Sequence, residues 1–156
     1  MREKSKKRIG ELLIEDGALS EENLGEALNY QKSNGGLIGQ ILISQGYITE
    51  ENLVVALGRQ LDIPYLPVNH YSLNTEAVSF FDREFCRKNS LLVFDWDDRH
   101  VFVAMADPLN THSIEEIEEK TGKKAHVFIS TSAEILSALS MIPQAGAPLR
   151  ELKKAG

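Results

Sequence analysis

The hydrophobic and polar positions of the first sixty residues follow one pattern twice. When the chain is aligned with itself at an offset of 29 residues, residues 8–31 superpose on residues 37–60, and 12 of the 24 aligned pairs are identical. In each copy, apolar residues recur at spacings of three and four, which is typical of amphipathic helices rather than strands. The chain therefore contains a tandem repeat, whose copies we call the first motif (8–31) and the second motif (37–60).

Each motif is predicted to form a helix, a turn and a second helix. Gly17 and Gly46 follow the first apolar stretch of each motif, and glycine ends a helix in the left-handed conformation without a steric penalty. Ser20 and Thr49 come next and are favourable N-caps for a second helix. Two glutamates follow each cap, where carboxylates stabilise the positive end of the helix. Residues 34–36, Asn-Gly-Gly, separate the two motifs.

From about residue 65 the pattern changes to that of a small α/β structure. An apolar run from Leu91 to Trp96 and another from Val101 to Ala106 flank a polar turn, which predicts a β-hairpin. The remaining predicted elements are a short helix from about Asn74, a helix from Ser113 to Thr121 capped by Ser113, a strand from Ala125 to Ile129 and a helix from Ala133 to Met141 capped by Ser132.

The predicted fold class is α+β. We expect a helical N-terminal subdomain of two tandem helix-turn-helix motifs over residues 1–66, followed over residues 67–142 by a small α/β subdomain with a roughly three-stranded sheet. Residues 143–156, PQAGAPLRELKKAG, are predicted to form a linker-like tail.

Composition excludes several classes of function. The 156 residues are 42% hydrophobic and 26% charged, and they contain neither a long apolar run nor a secretory signal. We therefore expect a cytoplasmic, folded domain without direct membrane insertion. A net charge of −6 argues against a nucleic-acid partner. The single Cys86 and four scattered histidines predict neither an internal disulfide nor a metal site.

No arrangement typical of an enzyme is present in the sequence. Gly122 and Lys123 resemble part of a phosphate-binding loop, but Ile117 stands where the earlier glycine is needed and Lys124 where Ser or Thr is needed. The histidines have no partner at helical spacing and no adjacent nucleophile pattern. We therefore expect no catalytic residues, and any ATPase domain would lie outside this chain.

The two motifs resemble a known family. The first motif has the form Arg-apolar-Gly, then Gly, Leu, Leu and a final Gln, and the second has the same form with Leu37 in place of the arginine. This tandem spacing resembles the MshEN domain, the N-terminal region of type II secretion and type IV pilus assembly ATPases. The segment VAMADPLNTHSIEEIEEKTGKKAHVFISTSAEILSAL also resembles the second half of that domain. The resemblance thus covers about residues 7 to 142.

The resemblance implies binding of cyclic di-GMP, with no other cofactor. This ligand has approximate two-fold symmetry, so each motif would serve one half of it. Guanine presents acceptors that suit an Arg side chain, and a Gln amide bonds to base edges, so Arg8 and Gln31 would serve one half. The residues that would contact the ligand are Arg8, Ile9, Gly10, Gln31, Leu37, Ile38, Gly39, Gln60 and Asp107.

Some of these positions have an ordinary structural explanation as well. Gly10 and Gly39 indicate a close approach, either of another helix or of the flat ligand. Asp107 would reach the ligand from the α/β half or would cap a turn. Six leucines would combine core packing with contact to the ligand, and these are Leu13, Leu24, Leu28, Leu42, Leu53 and Leu57.

The second motif departs from the family pattern at its first residue. Leu37 stands where the first motif has Arg8, and the loss of a charge-assisted hydrogen bond costs about 1.5 to 3 kcal/mol, or about one to two decades of affinity. Lys6, Lys7 or Arg59 are candidates to compensate for this loss electrostatically.

Leu37 also favours an alternative hypothesis. In it the chain is a protein-docking module that contacts the inner-membrane platform protein of a secretion or pilus system without binding nucleotide.

Overall fold

The computed structural model describes residues 7–142, which divide into two compact units between Pro64 and Tyr65. Residues 1–6 and the linker-like tail predicted for residues 143–156 lie outside the described residues. The first unit contains four helices, α1 (Ile9–Glu15), α2 (Glu21–Asn34), α3 (Ile38–Ser44) and α4 (Glu50–Leu61).

The turn and cap residues of the two motifs take the predicted conformations. Gly17 and Gly46 have φ of 75° and 78°, in the left-handed region that favours glycine. The side chain of Ser20 accepts a hydrogen bond from the backbone N–H of Asn23, and Thr49 forms a capping box with Asn52. Both motifs are therefore helix-turn-helix units, as the sequence predicts.

The helices of the first unit pair across the repeat. The most extensive helix contacts are between α1 and α4 and between α2 and α3. Each of these interfaces joins the first helix of one motif to the second helix of the other, so the two copies share one core. That core is formed by Leu12, Leu13, Leu19, Ala27, Ile41, Leu42, Ile48, Leu53 and Ala56.

The second unit is a three-stranded mixed sheet with helices. β1 (Leu91–Trp96) pairs antiparallel with β2 (His100–Met105), and β2 pairs parallel with β3 (Lys124–Ile129) after the crossover helix α7 (Thr111–Thr121). The sheet order β1-β2-β3 confirms the predicted α+β class. The other elements are a 3-10 helix (Val68–His70), α5 (Thr75–Phe80), α6 (Arg83–Lys88) and α8 (Ser132–Ser140).

The core of the second unit includes the only cysteine of the chain. Cys86 lies on α6 with 2% of its surface exposed, and burial raises the pKa of its thiol to about 11. The thiol is therefore protonated at neutral pH and acts as a small apolar side chain.

Several predicted boundaries in the second unit were wrong. Helix α7 begins two residues before Ser113, because the side chain of Asn110 caps it by accepting from the backbone N–H of Ser113. Helix α8 is capped by Thr131 rather than Ser132, through a capping box with Glu134. The second strand begins at His100 and ends at Met105, one residue earlier at each end than predicted.

Across residues 7–142, no helix has both the length and the apolar character needed to cross a membrane. Within the same range, no group of three or more His, Cys, Asp or Glu side chains is placed to hold a metal ion.

Candidate functional site

The glutamines that end the two motifs make equivalent hydrogen bonds. Nε2 of Gln31 donates to the backbone oxygen of Gly36 at 2.9 Å, and Nε2 of Gln60 donates to the backbone oxygen of Lys7 at 3.3 Å. Gly36 and Lys7 are themselves equivalent, since each directly precedes the first residue of a motif. Each glutamine is thus attached to the segment that leads into the opposite motif.

These hydrogen bonds group the candidate residues into two pairs that each draw on both motifs, which we call the first and second candidate half-sites. The first half-site combines Arg8 with Gln60, and the second combines Leu37 with Gln31. The hydrogen bonds place Gln60, rather than Gln31, beside the segment that leads into Arg8. The assignment of Arg8 and Gln31 to the same half of a ligand stays a prediction. The exchange follows from the pairing of α1 with α4 and of α2 with α3.

Arg8 and Leu37 hold the same local position in their half-sites. Both are N-cap residues with extended backbone, at φ −73°, ψ 156° and φ −86°, ψ 132° respectively, and neither side chain forms a capping hydrogen bond. Arg8 is exposed, and Leu37 has 75% of its surface exposed. Ile9 and Ile38, the next residues, are partly buried and pack on the core of the unit.

The glycines near the start of α1 and α3 allow close packing within each motif. A Cβ atom built on Gly10 would lie 2.9 Å from Cδ1 of Leu24, and one built on Gly39 would lie 2.8 Å from Cδ1 of Leu53. Both separations are shorter than real Cβ contacts. Two explanations for these glycines were left open, a neighbouring helix and a flat ligand. The neighbouring helix explains them, because its leucine occupies the space that a side chain at each glycine would need.

The six candidate leucines differ in burial. Leu13 and Leu42 are completely buried, and Leu53 is 7% exposed. Leu24 and Leu57 are partly buried, whereas Leu28 on α2 is 40% exposed. Core packing is therefore the main role of this set, and Leu28 has the largest surface available to a ligand.

Two of the candidate compensating cations are engaged in ion pairs. Nζ of Lys7 lies 2.5 Å from Oε1 of Glu15, and this hydrogen bond lowers the pKa of Glu15. Arg59 on α4 pairs with Asp16 and lies 3.8 Å from Glu15. The acidic partners, Glu15 and Asp16, are consecutive residues at the C-terminal end of α1 in the first motif. The positive charge of Lys7 and Arg59 is thus offset there, while Lys6 lies outside the described residues.

A further contact between the two motifs, that of Tyr47 with Glu26, could not be predicted from the repeat. The hydroxyl of Tyr47, in the turn after α3, donates to a carboxylate oxygen of Glu26 on α2 at 2.5 Å, and this bond raises the pKa of Tyr47. The corresponding positions are Ala18 and Val55, so this contact has no counterpart in the other half. Comparison of the motifs for identities therefore gave no signal for it.

Asp107 belongs to the second unit and stabilises a turn. Its Oδ1 atom accepts a hydrogen bond from the backbone N–H of Leu109 at 3.1 Å, and its backbone oxygen accepts from Asn110 at 3.2 Å. This is the turn-capping role that was predicted as one alternative. Contact of Asp107 with a ligand stays a prediction.

Two known proteins are similar to this chain in sequence. It is 25% identical over 132 residues to the type IV pilus assembly ATPase PilB of Myxococcus xanthus, covering 85% of this chain and 23% of that protein. It is 27% identical over 146 residues to the ATPase of the same name from Thermus thermophilus, covering 92% of this chain and 16% of that protein. The chain therefore spans less than a quarter of the length of these relatives.

Two solved structures have similar folds. The structure of MshE with cyclic di-GMP (cdg) matches with a TM-score of 0.73 and 27% identity, covering 88% of this chain and all of that one. The N-terminal domain of XpsE matches with a TM-score of 0.66 and 19% identity, covering 90% of this chain and 96% of that one. The second likeness is one of fold alone.

A family model also matches more than half of the chain. The MshEN domain model matches residues 61–149, all of which lie beyond the two motifs and most of which belong to the second unit. MshEN is not a catalytic domain, which confirms the prediction that this chain is not an enzyme. The resemblance seen in the motifs and the match to the second unit thus agree, and the chain belongs to the MshEN domain family.

Proposed function

We propose that the two motifs bind cyclic di-GMP without chemical change and that this domain regulates a longer protein. The observation that carries the proposal is the two-fold arrangement of the half-sites, in which Gln31 and Gln60 make equivalent hydrogen bonds to opposite motifs. A ligand with approximate two-fold symmetry matches this arrangement. The similarity to the structure of MshE with cyclic di-GMP, at a TM-score of 0.73, supports the same ligand.

The chemistry of the first half-site suits guanine. Arg8 is exposed and presents N–H donors for the O6 and N7 acceptors of the base. Gln60 uses one N–H on the carbonyl of Lys7, which leaves its Oε1 atom able to accept from a base edge. The hydrogen bond also fixes the rotamer of Gln60, so less side-chain freedom is lost when the ligand binds.

The second half-site is expected to bind more weakly. Leu37 offers no hydrogen-bond donor where the first half-site has Arg8, and its exposed side chain provides only apolar contact. Leu28, which is 40% exposed on α2, adds apolar surface in the first unit. We therefore propose that most of the base recognition comes from Arg8 and Gln60.

Isothermal titration calorimetry of the chain with cyclic di-GMP tests the proposal. We expect the wild type to bind one ligand per chain and Arg8→Ala to weaken binding by about 10- to 100-fold, because a charge-assisted hydrogen bond is lost. Arg99→Ala removes an exposed arginine from the hairpin of the second unit and is the matched control, with unchanged affinity. Absence of binding by the wild type at high micromolar ligand would overturn the proposal.

The wider role is also a proposal. The relatives are type IV pilus assembly ATPases, of which this chain covers 23% and 16%, so we propose that the domain acts with an ATPase of a pilus or secretion system on the cytoplasmic side of the membrane. Ligand occupancy would then control the ATPase or its contact with a platform protein. ATPase assays on the full-length protein, with and without cyclic di-GMP, would test this regulation.

A further inference from the structure

We infer that the second half-site does not require guanine, so that the chain accepts the mixed cyclic dinucleotide 3′,3′-cyclic GMP–AMP nearly as well as cyclic di-GMP. The inference rests on the proposed function and concerns the selectivity of the same site. It is carried by the difference between two residues in equivalent positions, Arg8 and Leu37.

The residue at the first position of a motif is placed to distinguish the two purines. Guanine offers two acceptors, O6 and N7, to a forked arginine, whereas adenine replaces O6 with the N6 amino donor, which an arginine repels. Arg8 therefore selects guanine in its half-site. Leu37, 75% exposed and without polar atoms in its side chain, offers neither a donor nor an acceptor and has no means of selecting between the bases.

The other polar group of the second half-site is compatible with both bases. Gln31 donates one N–H to the backbone oxygen of Gly36 at 2.9 Å, which leaves a second N–H and the Oε1 atom for the ligand. A carboxamide of this kind pairs with N6 and N7 of adenine, and its oxygen also accepts from the N–H groups of guanine. With Gln31 and Leu37, the second half-site can therefore form hydrogen bonds to a base but does not require that base to be guanine.

Among residues 7–142, the candidate cations do not restore an arginine-like fork. Lys7 and Arg59, the cations that the sequence offered as substitutes, pair with Glu15 and Asp16 of the first motif. Lys32 follows Gln31 at the end of α2, but an ammonium group is a point charge that attracts phosphate without reading a base edge. The positive charge of the second half-site therefore supports binding rather than selectivity.

Calorimetric titration with three ligands tests the inference. For the wild type we expect the dissociation constants of cyclic di-GMP and 3′,3′-cyclic GMP–AMP to agree within about threefold. The symmetric ligand can bind in two equivalent orientations, whereas the mixed ligand has one favoured orientation, and this difference alone is a factor of about two. Cyclic di-AMP should bind about 5- to 150-fold more weakly than either, because it leaves Arg8 without guanine acceptors.

The variant Leu37→Arg supplies the missing selectivity. We expect it to bind cyclic di-GMP more tightly and to discriminate against the mixed ligand by about 5- to 150-fold. Leu136→Arg makes the same change at a leucine on α8 of the second unit that is 49% exposed, and should leave the ratio of the two affinities unchanged. Lys32→Ala should weaken both ligands by the same factor.

The outcomes separate this inference from the function on which it rests. Binding of cyclic di-GMP with more than about tenfold discrimination against the mixed ligand by the wild type would overturn the inference and leave the proposed function intact. Failure of all three ligands to bind would overturn both. An unchanged ratio of affinities in Leu37→Arg would show that position 37 does not read the base, and would also overturn the inference.

Discussion

The side chain of Gln60 donates a hydrogen bond to the backbone oxygen of Lys7, 53 residues earlier in the chain. This contact attaches the end of the second motif to the beginning of the first. Its equivalent joins Gln31 to Gly36, and together the two contacts place each glutamine beside the opposite motif. In the first unit, the end of each motif is therefore hydrogen-bonded to the segment that leads into the other motif.

Replacement of Gln60 should weaken ligand binding more than it weakens the fold. A single neutral hydrogen bond contributes about 0.5 to 1.5 kcal/mol, so we expect Gln60→Ala to raise the dissociation constant of cyclic di-GMP by about threefold to tenfold. Calorimetry gives the affinity and circular dichroism checks the fold. Gln40→Ala changes an exposed glutamine on α3 and should have no effect on either. Equal affinities of Gln60→Ala and the wild type would argue against a role for Gln60 in the site.

Two glycine substitutions should change stability in opposite directions. In Gly39→Ala, the new methyl group meets Cδ1 of Leu53 at 2.8 Å, and Leu53 is buried, so we expect a loss of about 1 to 3 kcal/mol in the free energy of unfolding. Gly25 lies inside α2 with nothing within 4 Å of its would-be Cβ, so Gly25→Ala should gain about 1 kcal/mol from helix propensity.

Urea unfolding of the two variants measures the predicted decrease in the free energy of unfolding for Gly39→Ala and the predicted increase for Gly25→Ala. The double variant Gly39→Ala, Leu53→Ala should show a favourable coupling, because the shortened Leu53 side chain removes the clash. Stabilisation by Gly39→Ala alone would mean that Leu53 moves aside freely, and would remove the packing explanation for this glycine.

The ion pair between Arg59 and Asp16 should make a small, salt-dependent contribution. Because 46% of the Arg59 side chain and 28% of the Asp16 side chain are exposed, we expect Asp16→Asn to lower the free energy of unfolding by at most about 1 kcal/mol. About 1 M salt should abolish the difference from the wild type, which denaturation curves at two ionic strengths would reveal. A difference that persists in high salt would indicate that the amide disrupts something other than the ion pair.

Low pH should destabilise the β1–β2 hairpin of the second unit, because protonation of Asp97 weakens the hydrogen bonds that its carboxylate accepts there. Its carboxylate accepts from the backbone N–H groups of Arg99 at 2.8 Å and His100 at 2.7 Å, and these bonds lower its pKa below the ordinary value of 3.8. A group whose pKa is lower in the folded state stabilises the fold above the unfolded pKa, and this stabilisation is lost as the pH falls through the folded pKa.

Unfolding of the wild type and Asp97→Asn across neutral to acidic pH checks that sign. The wild type should be the more stable protein at neutral pH, and the difference should shrink below about pH 4. Asp98→Asn removes the same charge one residue away and keeps both hydrogen bonds, so its effect should be smaller. An Asp97→Asn difference that grows towards acid would contradict the assignment.

The sequence predicted those elements whose cause is local. Gly17 and Gly46 end helices because only glycine takes the left-handed conformation at no cost, and Ser20 and Thr49 begin helices by satisfying free N–H groups. The N-caps of α7 and α8 had signals in the sequence that were not used. Asn110 is a favourable N-cap whose side chain accepts from the N–H group three residues later, and Thr131 with Glu134 has the spacing of a capping box. Helix α6, of six residues, was missed because it is too short to show apolar periodicity.

The arrangement of the candidate site could not be predicted in the same way. The assignment of Arg8 and Gln31 to one half of the ligand rests on their membership of the same motif, and it stays a prediction. The pairing of α1 with α4, which brings Gln60 to Lys7, depends on which apolar faces fit together in three dimensions. The glycines were correctly recognised as points of close approach, but only the structure identifies Leu24 and Leu53 as what approaches.

The exchanged helix pairing has a consequence for a molecule that carries a single motif. Its two helices would each lack the surface on which they pack here, and a second identical molecule would be the natural source of both. Such an assembly would be a homodimer whose stability depends on concentration. Joining the two copies in one polypeptide removes that dependence and frees the halves to diverge, as the residues at positions 8 and 37 have done.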